Sequence, residues 1–142
     1  MHPMHPMHPM SEFNFKSLFP ASHRHAHITP RKARYSMDLI RRQSVNRALE
    51  ILSASPRRGS YMIKKLLKSA VANAEQHITN DNLSLDINDL WICEARADDG
   101  LRVKRFRPRS RGMAHPVLKR QSHLHVVLGT RSEEAAKAAD RS

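Results

Sequence analysis

Apolar residues recur at helical spacing over three stretches of this chain and alternate with polar ones over most of the rest. The longest helical stretch runs from about Ser60 to Asn80, where Ile63, Leu66, Leu67, Ala70, Val71, Ala74 and Ile78 make one continuous stripe. Ahead of it, after Ser44, Val45, Ala48, Leu49 and Leu52 fall at i, i+3, i+4 and i+7, and Pro56 and Gly59 bracket the turn between the two helices. A first helix is predicted from Pro30 to Ile40, with Thr29 as N-cap and Pro30 at the first helical position, where the missing N–H is no loss. It would bury Ala33, Met37 and Ile40 and leave Arg31, Lys32, Arg34 and Arg41 largely outside.

From Leu90 to Ala97 the period changes to two, with Trp91, Cys93 and Ala95 on one face of a strand and Leu90 and Ile92 on the other. Asp98-Asp99-Gly100 is a strong hairpin-turn signal and is expected to close that strand. Two further strands follow, carried by Leu101, Val103 and Phe106 on the way out and by Leu118, Leu124, Val126 and Leu128 on the way back, with Pro108, Gly112 and Pro116 at the reversal. They describe a long two-stranded arm, residues 101–123 or so, whose tip stands about 30 Å out at ~3.3 Å per residue. Upstream, a first strand is expected from Ser22, on which His23, His25 and His27 share one face. No Asp, Glu or Cys lies near to complete a metal set, so this reads as the wet, basic side of a sheet. Strand, three helices and three strands in that order predict an α+β fold, with three helices packed on a small antiparallel sheet and a long β-hairpin arm.

The two ends fall outside this pattern. Residues 1–21 are expected to form a disordered extension: Met-His-Pro is repeated three times, and the four apolar residues Phe13, Phe15, Leu18 and Phe19 dock loosely or fold on a partner. Residues 129–142 read as a flexible tail with mild helix propensity over Ser132 to Asp140. The domain proper is thus placed at 22–128.

Charge changes the picture most in the arm. The chain has 25 Lys and Arg against 13 Asp and Glu, a net +12 over 142 residues. Between Leu101 and Arg120 stand Arg102, Lys104, Arg105, Arg107, Arg109, Arg111, Lys119 and Arg120 and no carboxylate. On an extended strand Arg105, Arg107, Arg109 and Arg111 would share a side, with Phe106 facing the other way to stack on a base or pack across the hairpin. An isolated hairpin is marginal in water even when neutral. This one needs a polyanion, which several cations would neutralise at once with release of counterions.

Other chemistry is scarce. Cys93 is the one cysteine, which excludes an internal disulfide, fits a reducing cytoplasmic compartment and reads as core packing. No apolar run is long enough to span a membrane, and the N-terminus lacks the pattern of a signal peptide. Phosphate-cradling and zinc-protease motifs are missing, and Asp86, Asp89, Asp98 and Asp99 sit in turn contexts. No enzyme activity, metal, cofactor or small-molecule substrate is therefore expected.

The segment His23-Arg24-His25-Ala26, the run Lys32 to Leu52, Lys68 to Glu75, and above all Lys104-Arg105-Phe106-Arg107-Pro108-Arg109 through Leu118-Lys119-Arg120-Gln121-Ser122-His123 resemble the bacterial large-subunit ribosomal protein L twenty-two family. The resemblance covers about Ser22 to Leu128 in nearly unbroken spacing. It implies a structural, non-catalytic protein of the cytoplasmic ribosome that binds large-subunit ribosomal RNA, supports assembly, touches neighbouring ribosomal proteins and lines the nascent-peptide exit tunnel with its hairpin. Together with the charge pattern it nominates Arg24, Arg31, Lys32, Arg34, Arg41, Arg42, Arg102, Lys104, Arg105, Arg107, Arg109, Arg111, Lys119, Arg120 and His123 for RNA contacts. It nominates Pro108, Arg109, Ser110, Arg111, Gly112 and Met113 for a tunnel-lining tip that faces the nascent peptide. Past Gly112 the chain departs from the family pattern with Met113, His115 and Pro116. The alternative is a general nucleic-acid-binding or regulatory module that uses the basic arm.

Overall fold

A computed structural model describes residues 13–83 and 85–131. The elements run β1 (Phe13–Ala26), α1 (Pro30–Ile40), α2 (Val45–Ala54), α3 (Arg58–Asn80), a 3-10 turn (Ile87–Asp89), β2 (Leu90–Pro108), a second 3-10 turn (Ser110–Gly112) and β3 (Ala114–Arg131). The three strands form one antiparallel sheet in the order β1-β3-β2, so the last strand in the chain is the middle one of the sheet. This is an α+β architecture, as the pattern predicts. The Met-His-Pro repeat and the Ser132 to Asp140 segment lie outside the described residues.

Each helix forms where its apolar spacing places it. In α1, Ala33, Met37 and Ile40 are buried and Arg31, Lys32 and Arg34 exposed. Thr29 holds the N-cap position in an extended conformation, but its side chain makes no capping bond; Pro30 starts the turn by its fixed φ. Ser44 does cap α2, accepting the Arg47 N–H at 3.4 Å. Helix α3 starts at Arg58, two residues ahead of the predicted Ser60, which puts Ser60 inside the first turn and fully buried. Its hydroxyl donates to Ser55 Oγ at 2.8 Å and lies 3.1 Å from Ser36 Oγ, a small polar chain that ties the starts of α3 and the end of α2 to α1. Gly59, beside it, is buried against Ile28, whose Cδ1 would stand 3.0 Å from an added Cβ.

The core is a single cluster between helices and sheet. From α3 it takes Ile63, Leu66, Leu67, Ala70 and Ala74, with Val71 and Ile78 packed at its margin. From β3 it takes Leu124, Val126 and Leu128, while His123, His125 and Val127 between them stay half-exposed on the sheet's open side.

Three strand expectations are corrected. The first strand begins at Phe13, not Ser22, because residues 13–21 pair with the stretch of β3 that ends at Arg131. Asp99-Gly100 is no hairpin turn: β2 continues through it with a bulge, so the sheet has three strands rather than four among the described residues. The face assignment in β2 also changes partway. The register slips between Ile92 and Glu94, and this bulge at Cys93 moves the buried set from Leu90 and Ile92 to Ala95 and Ala97. Trp91 is thereby half-buried outside the core cluster.

As an edge strand, β2 would leave half its backbone groups without partners. The α1–α2 side covers them. Gln43 O accepts from the Ile92 N–H at 3.0 Å, Arg41 Nη2 donates to Ala95 O at 2.8 Å, and Arg34 Nε donates to Ala97 O at 3.1 Å.

Candidate nucleic-acid interface

Beyond the pairs Ala26↔Ser122 and Asp99↔Ser122 the sheet loses β1, and β2 and β3 continue alone from Arg102↔Arg120 to Pro108↔Ala114. No side chain from Leu101 to Arg120 is buried; only Val103 and Val117 are even half-covered. One face of this arm pairs Arg105 with Val117 and Arg107 with His115; the other pairs Lys104 with Leu118 and Phe106 with Pro116. Phe106 is 74% exposed, so it does not pack across the hairpin in any substantial way. No cation of the arm has an ion-pair partner among the described residues.

The tip departs from the expected alternation. Strand β2 ends at Pro108, the Arg109 N–H donates to Met113 O at 2.7 Å, and Ser110–Gly112 make a 3-10 turn. Arg105 and Arg107 therefore share a strand face, while Arg109 and Arg111 belong to the loop. Arg111 and Gly112 are both left-handed, with φ of 62° and 67°. Glycine takes that conformation freely and arginine at some cost.

Two bulges flank the arm's root on either side of β3. On β1 the register slips between His23 and Ala26, with His25 at φ 57°. On β2 it slips between Asp99 and Arg102, where Gly100 passes so close to β3 that an added Cβ would meet the Gln121 carbonyl carbon and oxygen at 3.0 Å. Bulges bend a strand and raise its twist, so the pair sets the angle at which the arm leaves. The bulge at His25, together with the end of β1 at Ala26, breaks the regular His23-His25-His27 row. Among the described residues no group of three or more His, Cys, Asp or Glu is placed to hold a metal ion.

The His25 bulge is held by its neighbour across the sheet. The His25 N–H donates to His123 Nδ1 at 3.1 Å, and the two rings meet edge-on at 4.9 Å. That bond needs a neutral His123. Desolvation first, then the charges of His25, Arg24 and His125, lower the His123 pKa, with Asp98 opposing. A histidine harder to protonate folded than unfolded adds stability that is present above its ordinary pKa and lost as the pH falls through the lowered one. The expected outcome is that hydrogen-exchange protection of the His25 amide declines as the pH drops below 6.5. Protection unchanged down to the carboxylate range would show that the bond does not depend on the imidazole.

The nominated body cations fall into two sets. Arg24, Arg31, Lys32 and Arg42 are exposed, and Arg24 and Lys32 lie near the arm's root. Arg34 and Arg41 are tied down: besides the β2 carbonyls, Arg41 pairs with Asp38 at 2.7 Å and Arg34 approaches Asp99 at 3.9 Å. Their first task is to close the sheet edge. Sequence reasoning passed over Arg57 and Arg58, read only as part of a turn between Pro56 and Gly59, although they stand with Lys119 and Arg120 at the arm's root. Two adjacent arginines in a turn without a nearby carboxylate were the available signal.

The remaining candidates for chemistry are occupied structurally. Asp86 caps the first 3-10 turn by accepting the Asn88 N–H at 3.1 Å, and Asp98 lies 3.6 Å from Arg96 and 3.5 Å from His125. Burial and the nearby Glu94 charge push the Cys93 thiol up to about 11, which leaves it protonated and unreactive at neutral pH. No helix among the described residues is long and apolar enough to cross a membrane.

The family model described as ribosomal protein L22p/L17e matches residues 21–129. The large ribosomal subunit protein uL22 of Ligilactobacillus salivarius is 50% identical over 104 residues, which is 73% of this chain and 86% of that protein. Its counterparts in Lactobacillus gasseri and Lactobacillus helveticus are 46% and 45% identical over 113 residues, 80% of this chain and 92% of theirs. This chain belongs to the L22p/L17e family of ribosomal proteins, structural constituents of the large ribosomal subunit and not enzymes.

Proposed function

We propose that the chain binds large-subunit ribosomal RNA through its arm and the root of that arm, supports subunit assembly, and presents the tip from Pro108 to Met113 to the nascent-peptide exit tunnel. The observation that carries this reading is the arm itself: no buried side chain from Leu101 to Arg120, eight Lys and Arg without an ion-pair partner among the described residues, and no carboxylate within that stretch. Such a hairpin gains order only where something negative surrounds it. RNA suits it because A-form helices hide their base edges, so an inserted arm engages phosphates, sugars and unpaired bases. Arginine forks take phosphate oxygens two at a time, and Phe106, standing clear of its own hairpin, offers a ring to a splayed base. Neighbouring ribosomal proteins and the emerging peptide would be its other contacts, in the cytoplasmic ribosome.

The test is a gradient. Tagged protein expressed in bacterial cells should sediment with the large subunit in moderate salt, at one copy per particle. Recovery at the top of the gradient would overturn the reading. Equal competition by duplex DNA and ribosomal RNA for the purified chain would favour a general nucleic-acid binder instead.

A further inference from the structure

Two adjoining clefts open where the arm meets the body. The larger, about 720 Å³, lies between the starts of α1 and α3 and Leu118 to Arg120 of β3. The smaller, about 390 Å³, runs onto the face of the arm that carries Val103 and Arg105. They share His27, Arg58, Lys119 and Arg120, so together they make one bent notch. Its lining contains six fixed cations, Lys32, Arg57 and Arg58 from the body and Arg105, Lys119 and Arg120 from the arm, and no carboxylate at all.

These cations differ from the paired arginines of the body. Arg34, Arg41, Arg47 and Arg96 each have an acidic partner within 4.0 Å, whereas none of the six does among the described residues. Arg57 is held in place by the Tyr35 ring, 5.3 Å from its centroid, which fixes the guanidinium without neutralising it. Neither α1 nor α3 carries an acid in its first turn, so the helix ends add to the positive field instead of cancelling it. Six like charges around an open notch repel one another, and only an anion of several charges relieves all of them at once.

We propose that this notch is a phosphate site that seats a bend of RNA backbone and clamps the arm to the body. The proposal rests on the RNA-binding reading above and adds to it both a place and a role. Because half the cations come from each side, a backbone lodged there joins the arm to α1 and α3. It thereby holds the arm at the angle that the His25 and Gly100 bulges allow. Contacts along the arm and contacts on the body then strengthen each other.

The experiment uses the full chain and two probes. Sodium tripolyphosphate, titrated at low salt and followed by backbone amide shifts, should move Lys32, Arg58, Gly59 and Lys119 saturably and ahead of Arg109 and Arg111 at the tip. In the double variant K32Q/R58Q that saturable shift should vanish while the melting temperature holds, since both side chains are exposed. The same variant should bind a large-subunit ribosomal RNA transcript about tenfold more weakly, with a salt slope smaller by about two; Arg58→Lys should restore most of the loss. Equal shifts at notch and tip, or undiminished RNA affinity in K32Q/R58Q, would overturn the clamp. Saturable tripolyphosphate binding at the notch in a wild-type chain that ignores the transcript would sink the RNA reading and sustain the phosphate site alone.

Discussion

Replacing Arg105, Arg107 and Arg109 together with Ala is expected to weaken binding to a large-subunit ribosomal RNA transcript by about a hundredfold or more and to reduce the salt slope by about two to three. All three side chains are exposed on an arm with no buried residue from Leu101 to Arg120, and none has an acidic partner among the described residues. They do nothing for the core. The thermal unfolding of the free chain should therefore stay within about 0.5 kcal/mol of wild type, as surface substitutions usually do. Filter binding across a salt series, paired with a melt, separates the two quantities. Affinity and stability falling in step would mean that the arm is part of the cooperative unit and that its cations act through the fold.

Leu67→Ala should do the opposite. Leu67 is wholly buried in α3, in one cluster with Met37, Ile63, Leu124 and Leu128, where helices meet the central strand. Truncation leaves a cavity between close-packed neighbours, which costs about 2–5 kcal/mol. In a domain whose total stability is on the order of 5–15 kcal/mol, that is a lowered melting temperature and a larger unfolded fraction. RNA affinity per folded molecule should hold. A melt indistinguishable from wild type would mean that Leu67 does not sit in the packed interior.

What could be read from sequence divides by the range of the interactions. The helices were legible because their causes are local: Thr29-Pro30 starts one, Ser44 caps another, and the stripe from Ile63 to Ala74 repeats every turn. The strands were legible as strands but not in their ends or faces. Asp99-Gly100 has the residues of a turn, and what overrides it is distant: Gly100 is wanted for its missing Cβ, because the Gln121 backbone runs alongside. Cys93 sits on a bulge that reverses which neighbours are inward, and nothing within β2 announces it. Residues Phe13 to Ala21 join the sheet only because the end of β3 is there to pair with them.

The same holds for the interface. The arm's charge was plain from residue type alone. That Arg34 and Arg41 spend their donors on the edge of β2, and that Arg57 and Arg58 stand opposite Lys119 and Arg120, depends on contacts between segments some sixty residues apart in the chain.

The sheet order has a consequence for biosynthesis. Among the described residues strands β1 and β2 have no ladder with each other; the sheet partner of each is β3, the last of the strands to be translated. Until about Leu124 to Leu128 has been made, the nascent polypeptide can coil its three helices but has two rims and no centre, and its apolar faces wait uncovered. Closure of the fold is thus gated by release of β3, and a message truncated before codon 114 would yield a product that cannot close.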